Sequence, residues 1–316
     1  MKIASRMALV CFFALAIAIA VIWIYHGSYG LHVLLRHGGT YWLPVSPDSS
    51  RLSASMRLAL SGAPAATPGN FGWKTIREGF DVGDLPAEVN GRPLDHIMLA
   101  RIDPGRFRFV VRNASAGDKD LDQWIIELGA VLLVNGSYYS PYGEPDTPLL
   151  SDGHLLGPNT YEAKAGAFVS SASFTGIRDL GPEDWRTAFG AAENAMVSYP
   201  LLLSDGVNRV TSSSRWLANR SFVGQDQTGR IVIGTTTDAF FSLDRLAHFL
   251  LDSRLGLVIA LNLDGGPVAC QGIAIDGYER KVYGRWEMQV DGDRGQLLTW
   301  PHGTIAMPVV LAVFPK

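Results

Sequence analysis

The sequence predicts an α+β domain, a mixed-sheet α/β arrangement in which a twisted mixed β-sheet carries packed helices, preceded by an N-terminal transmembrane helix. Three observations point there. Short apolar runs bounded by Gly, Pro, Asn and Asp outnumber segments of helical period. Two stretches, around 121–136 and 243–265, repeat one order: helix, glycine, apolar strand, polar residue, glycine. An uncharged run, Met7–Tyr25, follows two basic residues at the start of the chain.

Lys2 and Arg6 precede that run, which at roughly 1.5 Å per residue is long enough to cross a bilayer. Basic flanks stay cytoplasmic. Residues 1–25 are therefore expected as a single-pass inner-membrane anchor, touching lipid through residues 7–25. The remainder would face the periplasm or the cell exterior. A cleaved signal peptide is the competing reading, with Ala18-Ile19-Ala20 as its small-residue site. The apolar run continues through Val21, Ile22, Trp23 and Ile24, which favours an uncleaved anchor. Residues 26–70 read as a juxtamembrane segment, helical near Leu31–Leu35, and then a tether. Pro44, Pro47, Pro64 and Pro68 stand there among serines and alanines, with a helix over Arg51–Leu60.

The globular domain is expected over 71–316. His96–Ile102 and Arg106–Arg112 read as strands joined by the turn Asp103-Pro104-Gly105. Leu121, Trp124, Ile125 and Leu128 fall on one helical face, and Gly129 is a plausible stop. The strand of Ala130–Tyr139 follows. Pro148–Gly153 and Pro200–Gly206 are hairpin signals, since Asp-Gly between apolar runs favours a tight turn. Phe222–Gly234 reads as strand, turn at Gln227-Thr228-Gly229, and strand. Ser242 is placed to cap a helix whose apolar face is Leu243, Leu246, Ala247 and Leu250. Gly256 then ends that unit. Leu257–Leu263 is a continuous apolar run, the mark of a strand buried on both faces. Ile305–Phe314 is the last strand.

Composition narrows the function. The chain has 316 residues and a formal charge of −3. It has no basic run and no aromatic–basic interleaving, which argues against a nucleic-acid partner. A chain this long buries a sizeable core without staples. Its two cysteines are Cys11 and Cys270, and Cys11 lies in the apolar N-terminal run, so no intrachain pair is expected. His154, His248 and His302 are scattered, with no H-E-x-x-H or Cys/His cluster. Asp276–Asp293 is acidic but lacks EF-hand spacing. Serine-hydrolase elbows and P-loops are absent. No metal or cofactor is implied.

The most informative stretch is Ala260–Gly266, A-L-N-L-D-G-G. It sets Asp264 just beyond a buried strand, where ligands of α/β sheets gather. Two glycines there let the backbone turn sharply and approach a ligand. Ala130–Tyr139 sets Asn135 in the same relation to its own strand. Asn135 and Asp264 are thus expected on one edge of one sheet.

Taken in order, these segments resemble the phosphodiester glycosidase family. Its N-G-G-[FY]-F motif is matched by Asn135-Gly136-Ser137-Tyr138-Tyr139. The Pro/Gly-rich loop and hairpin of Pro141–Gly153 follow, then the turn of Pro200–Gly206 and the strand opening Arg220-Ser221-Phe222-Val223-Gly224. Ala260–Gly266 comes last. Order and spacing agree over about residues 90–316. The chain departs where Ser137 replaces the second glycine and where Pro267-Val268-Ala269-Cys270 follows Asp-Gly-Gly.

The resemblance implies a hydrolase that cleaves the glycosidic bond of a sugar-1-phosphodiester, in envelope or exopolysaccharide metabolism, acting on a sugar-phosphate or polysaccharide. On that reading Arg220 clamps the phosphate through its planar fork. Asp264 is the base or the electrostatic stabiliser of an oxocarbenium-like transition state. Asn135 holds a sugar hydroxyl or a phosphate oxygen. The N–H groups of Gly136, Gly265 and Gly266 form an anion nest. Tyr138 and Tyr139 stack on sugar, and Ser221 joins the substrate contacts. Glu144, Asp146 and Asp238 are candidate second carboxylates. Each residue also has a plainer reading: Asp264 as a turn aspartate bonded to its own backbone, Arg220 as a structural ion pair, the tyrosines as core. The two departures motivate a second hypothesis, a non-catalytic carbohydrate- or phosphate-binding protein or a polysaccharide assembly factor on the same fold.

Overall fold

The computed structural model describes residues 2–26, 41–114, 116–140, 142–162, 165–292, 294–299 and 305–316. A nine-stranded sheet forms the centre of the molecule. Its middle runs Leu201–Ser204, Leu257–Asn262, Ser221–Asp226, Ile231–Thr236, Arg92–Ile102 and Phe80–Val89. A five-stranded sheet packs against it, in the order Tyr278–Val282, Gln271–Ile275, Leu132–Asn135, Val309–Pro315 and Phe107–Asn113. A second five-stranded sheet is built on Gly166–Ser170 and Asn194–Ser198, and a four-stranded one joins Tyr41–Val45, Arg294–Thr299, Glu287–Asp291 and Trp216–Ala218. The α+β class holds, but the ladders of all four sheets are antiparallel rather than mixed.

Side-chain alternation explains why the central strands read as unbroken apolar runs. Ile97, Leu99, Phe222 and Val232 enter one core, shared with the helices Ala54–Leu60 and Leu243–Asp252. Met98, Ala100, Val223, Ile231 and Ile233 point the other way, onto Leu132, Val134 and Leu311 of the five-stranded sheet. With both faces covered, neither parity of the strand can be polar. Each large side chain sealed this way contributes about 1.5–3 kcal/mol over an exposed one.

Helix signals were partly legible. Asp120 and Gln123 close a capping box on Leu121–Leu128, and Gly129 ends it at φ 61°, a left-handed conformation that glycine adopts without strain. Ser242 stands at the N-cap of Leu243–Asp252, but its hydroxyl makes no capping bond. That helix ends at Asp252, so Gly256 serves the following turn (φ 65°) and is not its stop. The Asp152-Gly153 and Asp205-Gly206 hairpins form as expected. Asp103-Pro104-Gly105 also turns the chain, yet it carries it from the nine-stranded sheet to the five-stranded one instead of closing a hairpin.

The tether assigned to residues up to 70 needs correction. Tyr41–Val45 pairs with Arg294–Thr299, and Leu52, Met56, Ala59 and Ala66 are buried in the main core. Pro44 and Pro68 sit within paired strands of a packed segment; apolar side chains at helical spacing hold it down. The expected helix near Leu31–Leu35 lies outside the described residues. Lys2–His26 is a helix. Side chains in it are described only at Met7 and residues 11–22, and among the described residues no helix is long and apolar enough to cross a membrane.

Candidate active site

Asn135 and Asp264 do not share a sheet. Leu132–Asn135 belongs to the five-stranded sheet and Leu257–Asn262 to the nine-stranded one. The two loops meet where the sheets end. Asn135 Nδ2 donates to the Asp264 carbonyl at 2.8 Å, and the Asp264 N–H donates to the Gly136 carbonyl at 3.0 Å. Gly136 must lack a side chain because a Cβ would strike Val309.

Arg220 reaches the same place from the start of Ser221–Asp226. Its backbone is fixed by Thr236 Oγ1, and its side chain lies almost wholly buried. A Cβ on Gly265 would lie 3.1 Å from Arg220 Nη1. A Cβ on Gly266 would collide with the Glu287 carboxylate. The paired glycines after Asp264 thus let a guanidinium and a second carboxylate rest on the backbone. Glu287 opens the strand Glu287–Asp291, and its Oε1 accepts from Trp216 Nε1 at 2.9 Å. Asn219 welds these parts: its carbonyl accepts from Gly266 N, and its Oδ1 accepts from the N–H groups of Arg285 and Trp286, each at 2.9 Å.

Burial pushes the Asp264 carboxyl up to about 8; Glu287 raises it further, while the Gly265 N–H and Arg220 pull it back. Burial raises Glu287 too, against Arg220 and the Trp216 N–H. Arg220 is lowered by burial and supported by Tyr138, Glu287 and Asp264. Two partly buried carboxylates and one buried guanidinium therefore lie close together, and their charges are coupled. A comparison separates this cluster from structural burial. Asp95 is fully buried, and its Oδ1 takes N–H bonds from His96, Thr237 and Asp238 and the Thr237 hydroxyl, as a loop anchor does. Among the described residues the Asp264 carboxylate accepts only from Gly265 N, at 2.8 Å.

Tyr138 and Tyr199 flank the acid. Their rings stack at 4.1 Å and 16°. The Tyr138 hydroxyl donates to the Tyr199 carbonyl and accepts from Asn262 Nδ2. Burial and the Asp264 charge raise both Tyr138 and Tyr139. The Gln271 amide is buried with neither Oε1 nor Nε2 partnered, and Asn135 Oδ1 and Asn262 Oδ1 are buried without a donor. Such acceptors suit the hydroxyls of a bound sugar.

Several expected roles do not survive the geometry. The Gly136, Gly265 and Gly266 N–H groups are bonded to Val309 O, Asp264 Oδ1 and Asn219 O, so they form no open anion nest. Arg220 gives Nε to Phe241 O and Nη2 to Trp216 O, which removes the free two-pronged fork of a phosphate clamp. Ser221 is fully buried and pairs its hydroxyl with Thr235, as cross-strand neighbours do. Asp238 accepts from Ser53 and caps its own backbone. Glu144 is exposed. Asp146 is exposed as well, yet close enough to raise Asp264 slightly. Glu287 was not legible, because it follows no motif. Asn262 had a faint signal, a lone amide inside an apolar run.

Two surface clefts lie apart from this cluster. One of about 440 Å³ is lined by Leu150, Leu155, Trp185 and Phe189. The other, about 470 Å³, is lined by Arg101, Thr228 and Arg230. They are shallow surface features and share no residue with the coupled charges.

Curled antiparallel sheets with few helices close over a junction of Asn135, Asp264 and Arg220. Residues 128–269 match the model for phosphodiester glycosidase. The structure is similar to the zebrafish N-acetylglucosamine-1-phosphodiester α-N-acetylglucosaminidase catalytic domain, auto-inhibited by its pro-peptide. The TM-score is 0.56 at 16% identity, over 88% of each chain. A hypothetical protein from Synechocystis is also similar, with a TM-score of 0.51 and 15% identity over 81% of this chain and 65% of that one. At these identities the likeness is one of fold. No curated protein matches the chain.

Proposed function

We propose that the protein is a glycosidase that hydrolyses a sugar-1-phosphodiester, with Asp264 and Glu287 as its carboxylates and Arg220 as their buried counter-charge. One observation carries this reading: two partly buried acids and a buried guanidinium packed on the Asp264-Gly265-Gly266 turn, with aromatic rings beside them. Ionised Asp264 would stabilise positive charge growing at the anomeric carbon as its bond to the phosphate oxygen breaks. The phosphate departs as a monoester, a good leaving group that needs little protonation. Water then adds to the anomeric carbon, giving its proton to a carboxylate. Asn135 and Asn262 would accept from sugar hydroxyls. Arg220 keeps one of the two acids ionised.

The helix Lys2–His26 is proposed as the membrane anchor, with Lys2 and Arg6 cytoplasmic and the domain on the periplasmic or outer side of the inner membrane, in envelope or exopolysaccharide metabolism. The uncharged run Met7–Tyr25 supports this. A fusion reporter at the C-terminus that is active only in the cytosol would refute it.

A second reading, a non-catalytic saccharide-binding protein, is favoured by one fact: the three glycine N–H groups that could cradle a phosphate are all bonded internally. Turnover by the full chain of a panel of hexose 1-phosphate methyl esters decides between them. Activity lost in Asp264→Asn with the fold intact supports the hydrolase. Binding without turnover supports the second reading.

A further inference from the structure

The four-stranded sheet carries two half-exposed indoles to the edge of the carboxylate cluster. Trp42 sits on Tyr41–Val45, opposite Leu298. Trp216 sits on Trp216–Ala218, opposite Gln289. These strands are the two outer edges of the sheet. Adjacent strands are spaced about 4.8 Å apart, so edges of a flat four-stranded sheet would be about 14 Å apart. The rings nevertheless meet at 6.0 Å, edge to face at 80°. Strong curl therefore brings them together, and it does so with 36% and 37% of their surfaces still open.

Trp216 is tied to the cluster at two points. Its indole N–H donates to Glu287 Oε1 at 2.9 Å, and its carbonyl accepts from Arg220 Nη2 at 2.8 Å. The ring thus lies directly against the Glu287 end of the cluster. Large aromatic surface left open beside a polar site marks a ligand contact. A sugar ring suits this surface: its C–H faces lie on an indole while its hydroxyls reach the polar rim. Much of this sheet lies outside the family-matched residues 128–269, including Trp42 and Glu287.

We propose that Trp42 and Trp216 form a saccharide-stacking platform at the Glu287 end of the site, with the Trp216 N–H positioning Glu287. This rests on the same site assigned above to the hydrolase, and the test separates the two. Binding is measured by calorimetry on the full chain carrying Asp264→Asn, using methyl esters of glucose, N-acetylglucosamine, galactose and mannose 1-phosphates as probes. Dimethyl phosphate is the control without a sugar. Adding Trp42→Ala is expected to weaken binding of whichever ester binds by about tenfold, the scale of one aromatic contact. In the Asp264 enzyme the same change raises KM more than it lowers kcat. Trp216→Phe keeps a ring but removes the N–H. It is expected to leave KM within about twofold while raising the Glu287 titration in the pH–rate profile, because that donor favours the ionised acid. Turnover by the wild type with KM unchanged in Trp42→Ala overturns the platform and leaves the hydrolase standing. Ester binding that Trp42→Ala weakens, without any turnover by the wild type, overturns the hydrolase and keeps the platform. Binding of none of the esters overturns both.

Discussion

Asn135 and Asp264 are joined across two sheets: the amide N–H of one bonds the main-chain carbonyl of the other at 2.8 Å. That bond, with Asp264 N to Gly136 O, fixes the acid's backbone while leaving its carboxylate nearly unpartnered. Replacing Asn135 by Ala strands a buried carbonyl and is expected to cost about 1–3 kcal/mol. Denaturant unfolding measures that cost. Turnover at saturating substrate should fall at least tenfold, because the acid loses its aim.

The charge coupling fixes the direction of pH effects on rate. With Asp264 titrating at about 8 and needed as its anion, activity should rise through that region. Glu287→Gln removes a repelling charge, so the midpoint should move to lower pH. Arg220→Met removes an attracting one and should move it higher. A pH–rate profile of kcat/KM for the three proteins reads this out.

Stability should run the opposite way. The folded Asp264 carboxyl is raised above its ordinary value, so the folded state holds the proton more tightly than the unfolded chain. Its contribution is fully present below the unfolded value near 4 and is lost as pH rises through about 8. Asp264→Asn removes that loss. The variant should gain stability relative to wild type between pH 5 and pH 9, as followed by chemical denaturation at each pH. A constant difference would mean the acid is not desolvated.

Residues 41–70 belong to the folded domain. Met56 is fully buried among Leu85, Ile97 and Phe240 in the main core. Met56→Ala should therefore cost about 2–5 kcal/mol. A tether residue would cost nothing measurable by the same unfolding experiment.

The sequence made strands, hairpins and one helix end legible where local chemistry decides them: Asp-Gly turns, the Gly129 stop, and the apolar runs of doubly covered strands. It also marked Asn135, Arg220 and Asp264, which the structure brings to one junction. Partnership was not legible. Apolar runs look alike whichever sheet they join, so Leu132–Asn135 and Leu257–Asn262 were assigned to one sheet when they lie in two. Prolines suggested a tether around residue 56 because composition does not reveal a distant core. Glu287 and Trp216 reach the site through the register of a small curled sheet, which no local spacing encodes. Hydrogen-bond use was equally hidden: the glycine N–H groups and the Arg220 fork looked available until their partners were placed.

The most direct test is single-turnover hydrolysis of a hexose 1-phosphate methyl ester by the full chain, wild type against Asp264→Asn, with release of methyl phosphate followed by phosphorus NMR. The expected result is methyl phosphate and free sugar from the wild type, with the rate down at least a hundredfold in the variant and its melting temperature no lower. Equal rates in the two proteins, or release of sugar 1-phosphate and methanol instead, would contradict cleavage of the glycosidic bond at Asp264.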